Sequence, residues 1–144
     1  MKTLIIVDVQ NDFLPGGALA VEQGDQIIDV INRILPQYDF VVATQDWHPA
    51  GHASFASSHP GKNIYETIDL NGSPKQLWPD HCVQGSEGAK LSKNLLSHYI
   101  HEVIRKGENP TVDSYSGFYD NDKNHSTELT ELLREKNIKS VDIV

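Results

Sequence analysis

The chain has 144 residues, 38% of them apolar and 22% charged, with a formal net charge of -8. That length fits one domain able to bury a core, and the composition is that of a soluble globular chain, not a disordered one. The acidic balance leaves no basic stripe to neutralise a phosphate backbone, so a general nucleic-acid partner is excluded. No apolar stretch approaches a membrane span. The opening MKTLIIVDVQ reaches Asp8 too soon to serve as a secretory signal. A single cysteine, Cys82, precludes an intrachain disulfide and fits a reducing compartment, so a cytoplasmic address is expected.

Residues 3–9, TLIIVDV, form an apolar run rich in β-branched side chains, the pattern of a strand buried on both faces. A turn-rich NDFLPGGAL follows. Between about 23 and 35, Ile27, Ile28, Ile31, Ile34 and Leu35 recur at helical spacing, and Pro36 stops the run. FVVAT (40–44) reads as a second buried strand, leading into a long irregular stretch from 45 to 86 that holds four prolines. Loops of that length within compact domains are usually functional. A short helix is expected from Ser86, with more helix over Leu95 to Tyr99. HEVIRK (101–106) is a third strand, followed by a second loop, and a helix opens near Ser126 with Leu129, Leu132 and Leu133 facing inward. IKSVDIV (138–144) reads as a fourth strand.

Buried strands alternating with helices predict one domain over 1–144, a doubly wound, Rossmann-like parallel α/β sheet with helices on both faces. Such sheets bind ligands beyond the carboxyl ends of their strands. Asp8, Asp46 and Lys106 all fall at or near such ends.

In Asp46-Trp47-His48, a carboxylate and an imidazole two residues apart can converge on one ion. With His81 they offer donors that suit zinc, iron or manganese. The other reading is a capped turn beside solvated histidines. Asp8 directly follows an apolar run, where partial desolvation would make it a better base; otherwise it simply starts a turn. Lys106, if close to Asp8, would pair with it and stabilise developing negative charge; otherwise it is a solvated lysine. Cys82 sits beside His81, but adjacent side chains generally point apart, so it reads as a small packing residue. Phe13, Trp47, Phe55, Trp78, Tyr115 and Phe118 gather in loops. There they could line a site for a flat ring or merely anchor the loops.

Four segments, VDVQNDFLPGGALAV, ATQDWHPAGHASF, LWPDHCVQGSEGA and RKGENPTVDSYSGFYDN, resemble successive signature segments of bacterial nicotinamidases within the isochorismatase-like hydrolases. They stand in the family's order, and the likeness covers essentially the whole chain. The resemblance implies amide hydrolysis of nicotinamide to nicotinate and ammonia through a cysteine thioester, as in NAD salvage. It makes Asp8 the general base and Lys106 its cationic partner. It makes Asp46, His48 and His81 ligands of one divalent ion, zinc first and iron or manganese next, with Ser54 contributing directly or through water. It sets Phe13, Trp78 and Tyr115 around a pyridine ring. It implies a small-molecule pyridine carboxamide as partner, no membrane, and leaves a homo-oligomer open. Another isochorismatase-like hydrolase, or a fragment that only binds metal or ligand, is the alternative.

In the family, the strand matching VDIV runs into a turn carrying the nucleophilic cysteine. The chain ends at Val144, before the position of that turn. The expectation is therefore a domain incomplete at its C-terminus, its last strand poorly covered, and inactive by itself.

Overall fold

The computed structural model describes residues 1–70 and 72–144. Among them the chain forms β1 (Thr3–Ile6), α1 (Gln26–Ile34), β2 (Phe40–Asp46), β3 (Thr67–Leu70), β4 (Ser73–Gln76), β5 (Glu102–Lys106), α2 (Leu129–Glu135) and β6 (Asp142–Ile143). Every residue of β1 and β2 is buried, as expected of strands covered on both sides. They lie at the centre of a four-stranded sheet ordered β5-β2-β1-β6, in which every pairing is parallel.

Side-chain alternation along the two central strands sorts the core into two layers. On one face Leu4, Ile6, Val41 and Ala43 pack with Ile28 and Ile31 of α1 and with Leu35 and Leu95. On the other, Ile5, Phe40, Val42 and Ile104 meet Leu129 of α2, joined by Leu132, Leu133 and Ile138. One helix on each face is the doubly wound arrangement the strand–helix alternation predicts. Ile27, expected on the inward stripe of α1, is instead 38% exposed.

Other expectations need correction. Residues 86–96 form turns and bends, and between residue 86 and β5 the helical structure is a single 3-10 turn at Ser97–Tyr99. There the backbone is held by local bonds such as Ala89 N–H to Ser86 Oγ and Asn94 N–H to Ser92 Oγ, serine contacts that compete with a helix. The fourth strand, expected over 138–144, pairs with β1 only at Asp142–Ile143, and its first expected residue, Ile138, is still tied back to α2. Asn137 sits in the left-handed region at φ 53. Its N–H reaches Arg134 O at 2.9 Å, and Ile138 N–H reaches Leu133 O at 2.9 Å, which is a Schellman cap. The long 45–86 stretch also contains an unforeseen antiparallel hairpin, β3 with β4, in register from Thr67↔Gln76 to Leu70↔Ser73. No described helix is long and apolar enough to cross a membrane.

Candidate active site

The carboxyl ends of β1, β2 and β5 converge. The β1–β2 pairing stops at Ile6↔Ala43, whereas β2 stays paired with β5 up to Asp46↔Lys106. Asp8 follows β1 in a left-handed turn, φ 52, a conformation uncommon for a non-glycine residue. Thr44 on β2 holds it there. The Asp8 N–H donates to Thr44 Oγ1 at 3.2 Å, and that hydroxyl donates to Asp8 Oδ1 at 2.7 Å. The other oxygen, Oδ2, takes Lys106 Nζ at 2.9 Å.

Lys106 is 4% exposed and all three of its ammonium protons have partners. They go to Asp8, to Asp46 Oδ1, and to the Ser114 carbonyl at 2.9 Å. Burial works against its charge, but Asp46 and Asp8 more than offset that and hold the ammonium above its ordinary range. Burial raises Asp8 above the ordinary carboxylate range, with Lys106 opposing it. Burial also opposes charge on Asp46, yet the His48 ring and Lys106 keep its carboxyl below that range. Two carboxylates of one chemistry are thus driven apart by their surroundings, the usual mark of an acid–base site.

The second oxygen of Asp46 faces the histidines, with His48 Nε2 at 3.5 Å and His81 Nε2 at 3.9 Å from Oδ2. One donor atom from each of Asp46, His48 and His81 lies within 4.8 Å of the other two, and all three residues are buried. His81 is brought in by a short parallel bridge between His48 and Val83: His48 N–H donates to Cys82 O at 3.0 Å and Gln84 N–H to His48 O at 2.8 Å.

Two observations fit this cluster to a metal ion. First, His48 Nδ1 lies 2.9 Å from Gly107 O and His81 Nδ1 lies 2.8 Å from Pro79 O. A carbonyl only accepts, so both Nδ1 atoms carry the proton and, in the neutral rings, both Nε2 lone pairs face Asp46. This is the orientation imposed on metal-binding histidines. Second, His48 Nε2 is buried without a hydrogen-bond partner, an arrangement that an ion relieves.

Gly107 permits the His48 contact. Its φ is +70, and a Cβ there would lie 2.5 Å from His48 Cε1. Gly107→Ala is therefore expected to lose about 1–2 kcal/mol from the left-handed backbone alone, with displacement of the ring adding to it. Urea unfolding of the two proteins measures the difference.

Ser54 is buried, but its hydroxyl is engaged with His52 Nδ1 at 2.8 Å. The Ser54 backbone N–H donates to that same nitrogen at 3.0 Å. His52 Nδ1 is therefore an acceptor, and Nε2 faces Val112 O at 3.3 Å. With both nitrogens occupied, His52 is kept from acting as a ligand although its ring centroid is 4.7 Å from that of His48. Phe13 packs on His81 with centroids 5.6 Å apart. Trp78 Nε1 donates to Tyr115 Oη at 3.3 Å. Phe13 and Asp8 also line a groove of about 500 Å³ with Val7, Leu14, Val21 and Ile27. Cys82 is buried, and burial pushes its thiol far up, which leaves it a packing residue.

Four residues here lie in the quoted segments but had no role assigned from the sequence: Thr44; Gln10, which binds the backbone of Asp46; Asp12, whose Oδ2 accepts Cys82 N–H at 2.7 Å; and Asp113, 3.9 Å from His48 Nε2. Each acts across a long sequence separation, where periodicity says nothing.

A doubly wound α/β protein with a buried carboxylate–lysine couple beside a metal-ligand cluster is the class that fold and site define. Residues 2–144 match the isochorismatase domain, and the chain belongs to that family. It is 48% identical to a nicotinamidase of Escherichia coli (strain K12), covering 99% of this chain and 68% of that protein. The solved structure of an Acinetobacter baumanii nicotinamidase/pyrazinamidase superposes with a TM-score of 0.94 at 45% identity, covering 99% of this chain and 69% of that one. A pyrazinamidase of Pyrococcus horikoshii, solved in complex with zinc, has a TM-score of 0.74 at 36% identity over 99% of this chain and 68% of that one. The chain thus spans about two thirds of the length of the relatives it matches.

Proposed function

We propose that these 144 residues carry the base, the cationic partner and the metal site of a nicotinamidase, a cytoplasmic amidase that hydrolyses nicotinamide to nicotinate and ammonia. The observation that carries the reading is Lys106 joined to both Asp8 and Asp46, with Asp46 turned on its other side to two histidines. The likeness to nicotinamidases supports the choice of substrate.

The nucleophile in this reading is a cysteine outside these 144 residues, since burial keeps the only thiol here protonated. Asp8, raised by burial and open to the groove beside Phe13, takes the proton of that thiol. The sulfur attacks the amide carbon, Asp8 returns the proton to the nitrogen as ammonia leaves, and water then hydrolyses the thioester to nicotinate and the free thiol. Lys106 is held too firmly above the ordinary range to give up its own proton, so it serves as fixed positive charge against the thiolate and the oxyanion. Asp46, His48 and His81 would hold one divalent ion, with zinc first and iron or manganese as alternatives. Ser54, its hydroxyl proton given to His52 Nδ1, keeps oxygen lone pairs for a direct or water-mediated contribution there. When bound, such an ion supplies a Lewis-acid position for a pyridine nitrogen and so fixes the ring. Phe13, Trp78 and Tyr115 are the aromatic surfaces for that ring.

The test is a chimera in which residues 1–144 continue into the downstream third of the E. coli relative. It is expected to release ammonia and nicotinate from nicotinamide. Asp8→Asn should reduce the rate at least ~100-fold, the low end of what a general base contributes. A folded chimera that binds metal yet leaves nicotinamide intact, while cleaving a carbamoyl compound, would move the assignment elsewhere in the family.

A further inference from the structure

Asp46 is asked to do two things at once, with one oxygen on Lys106 and the other towards His48 and His81. Both demand a carboxylate fixed to within tenths of an ångström. Yet Asp46 is the last residue of β2, three residues past the point where β1 stops pairing with it. In a parallel strand, the N–H and C=O of one residue point to the same side. At Asp46 that side faces the space β1 has vacated, where both groups would be orphaned.

Gln10 fills the gap. Its side chain is fully buried, its Oε1 accepts Asp46 N–H at 2.8 Å, and its Nε2 donates to Asp46 O at 2.9 Å. The second Nε2 proton goes to Ala89 O at 2.8 Å. A primary amide is the one side-chain group with the acceptor and two donors this requires. In effect the side chain replaces the missing strand and ties the end of β2 to the loops after β1 and around Ala89.

We infer that Gln10 is a positioning residue: its amide fixes the backbone of Asp46 so that the carboxylate meets Lys106 and the ion together. The inference rests on the metal reading of the cluster. No other side chain can substitute in full. Glutamate would keep the bond to Asp46 N–H but set its charge against two carbonyls. Methionine would fill the space and make none of the three bonds.

The test titrates Co²⁺ into the purified, metal-free 144-residue chain, following affinity and the visible absorption bands of the bound ion. Those bands report ligand geometry and do not move with stability alone. The unsubstituted chain is expected to bind one ion. Gln10→Met should bind it ~10–100-fold more weakly, the usual loss on removing an outer hydrogen-bond partner of a ligand, with altered bands at a temperature where the metal-free variant is folded. With Asp46→Asn as background, Gln10→Met should weaken binding no further, because it acts through that carboxylate.

If the unsubstituted chain binds Co²⁺ and Gln10→Met matches it in affinity and bands, the positioning role is refuted while the metal site stands. If the unsubstituted chain binds no Co²⁺, the metal reading fails and this inference fails with it. Should Gln10→Met not fold, amide exchange in the unsubstituted chain decides. A slow Asp46 amide that Co²⁺ slows further supports the role, and exchange at open-loop rates overturns it.

Discussion

Replacing Lys106 with methionine is expected to destabilise the protein by about 3–5 kcal/mol, the range seen when one partner of a buried ion pair is removed. The magnitude follows from what remains. Lys106 is the shared cation of Asp8 and Asp46. Without it two carboxylates, with side chains only 17% and 9% exposed, face one another with no charge between them. One must then take up a proton to stay in the fold. The Ser114 carbonyl also loses the donor it now has at 2.9 Å. For a domain of this size the drop in melting temperature should be roughly 10 °C or more, read by calorimetry at neutral pH. Part of it should be recovered on acidification, since the variant is helped by protonating a carboxylate. A variant that melts within a degree or two of the parent would mean that Lys106 is not held between the two carboxylates.

The second large effect is that of zinc on the melting temperature. An ion bound only by the folded chain adds about 2.7 kcal/mol at a free concentration one hundred times its dissociation constant, or roughly 5–10 °C here. The increment should vanish with His48→Ala and be reversed by a chelator. Its pH dependence follows from His48. Burial lowers the proton affinity of that ring, but Asp46 and Asp113 outweigh burial and raise it. The metal-free chain therefore gains from a proton on His48 at low pH and loses that gain as pH rises through the folded value. The ion competes for the same nitrogen, so the zinc increment should grow as pH rises through the imidazole range. A metal-free chain that melts identically with and without zinc at pH 8 would remove the metal site from the account.

How much of this was legible in the sequence divides along physical lines. β1 and β2 were readable because each carries a β-branched apolar run, LII and FVVA, as strands covered on both faces tend to, and both are buried throughout. The convergence of Asp8, Asp46 and Lys106 followed from the rule that parallel strands present their carboxyl ends together. The hairpin of β3 and β4 was not readable. Ser73–Gln76 is exposed throughout, so no burial pattern marks it, and Pro74 argues against a strand anywhere but at an edge. The length of β6 was overestimated because Ile138 belongs to the cap of α2 and only Asp142 and Ile143 pair with β1, and neither contact leaves a local pattern. Asp12 read as part of a turn, and Gln10 fell between that turn and the first strand. Their importance lies in bonds to residues 36 to 79 positions away, which no local pattern can announce.

The hairpin of β3 and β4 stands apart from the rest in a useful way. Among the described residues it supplies none to either core layer and none to the ligand cluster. Its base is clasped by Tyr65 N–H to Leu77 O at 2.6 Å and by Leu77 N–H to Glu66 O at 2.8 Å. An appendage fastened at its root can be lengthened, labelled or exchanged between relatives with little consequence for folding or chemistry. It is the natural handle by which to attach a dye or an affinity peptide to this protein.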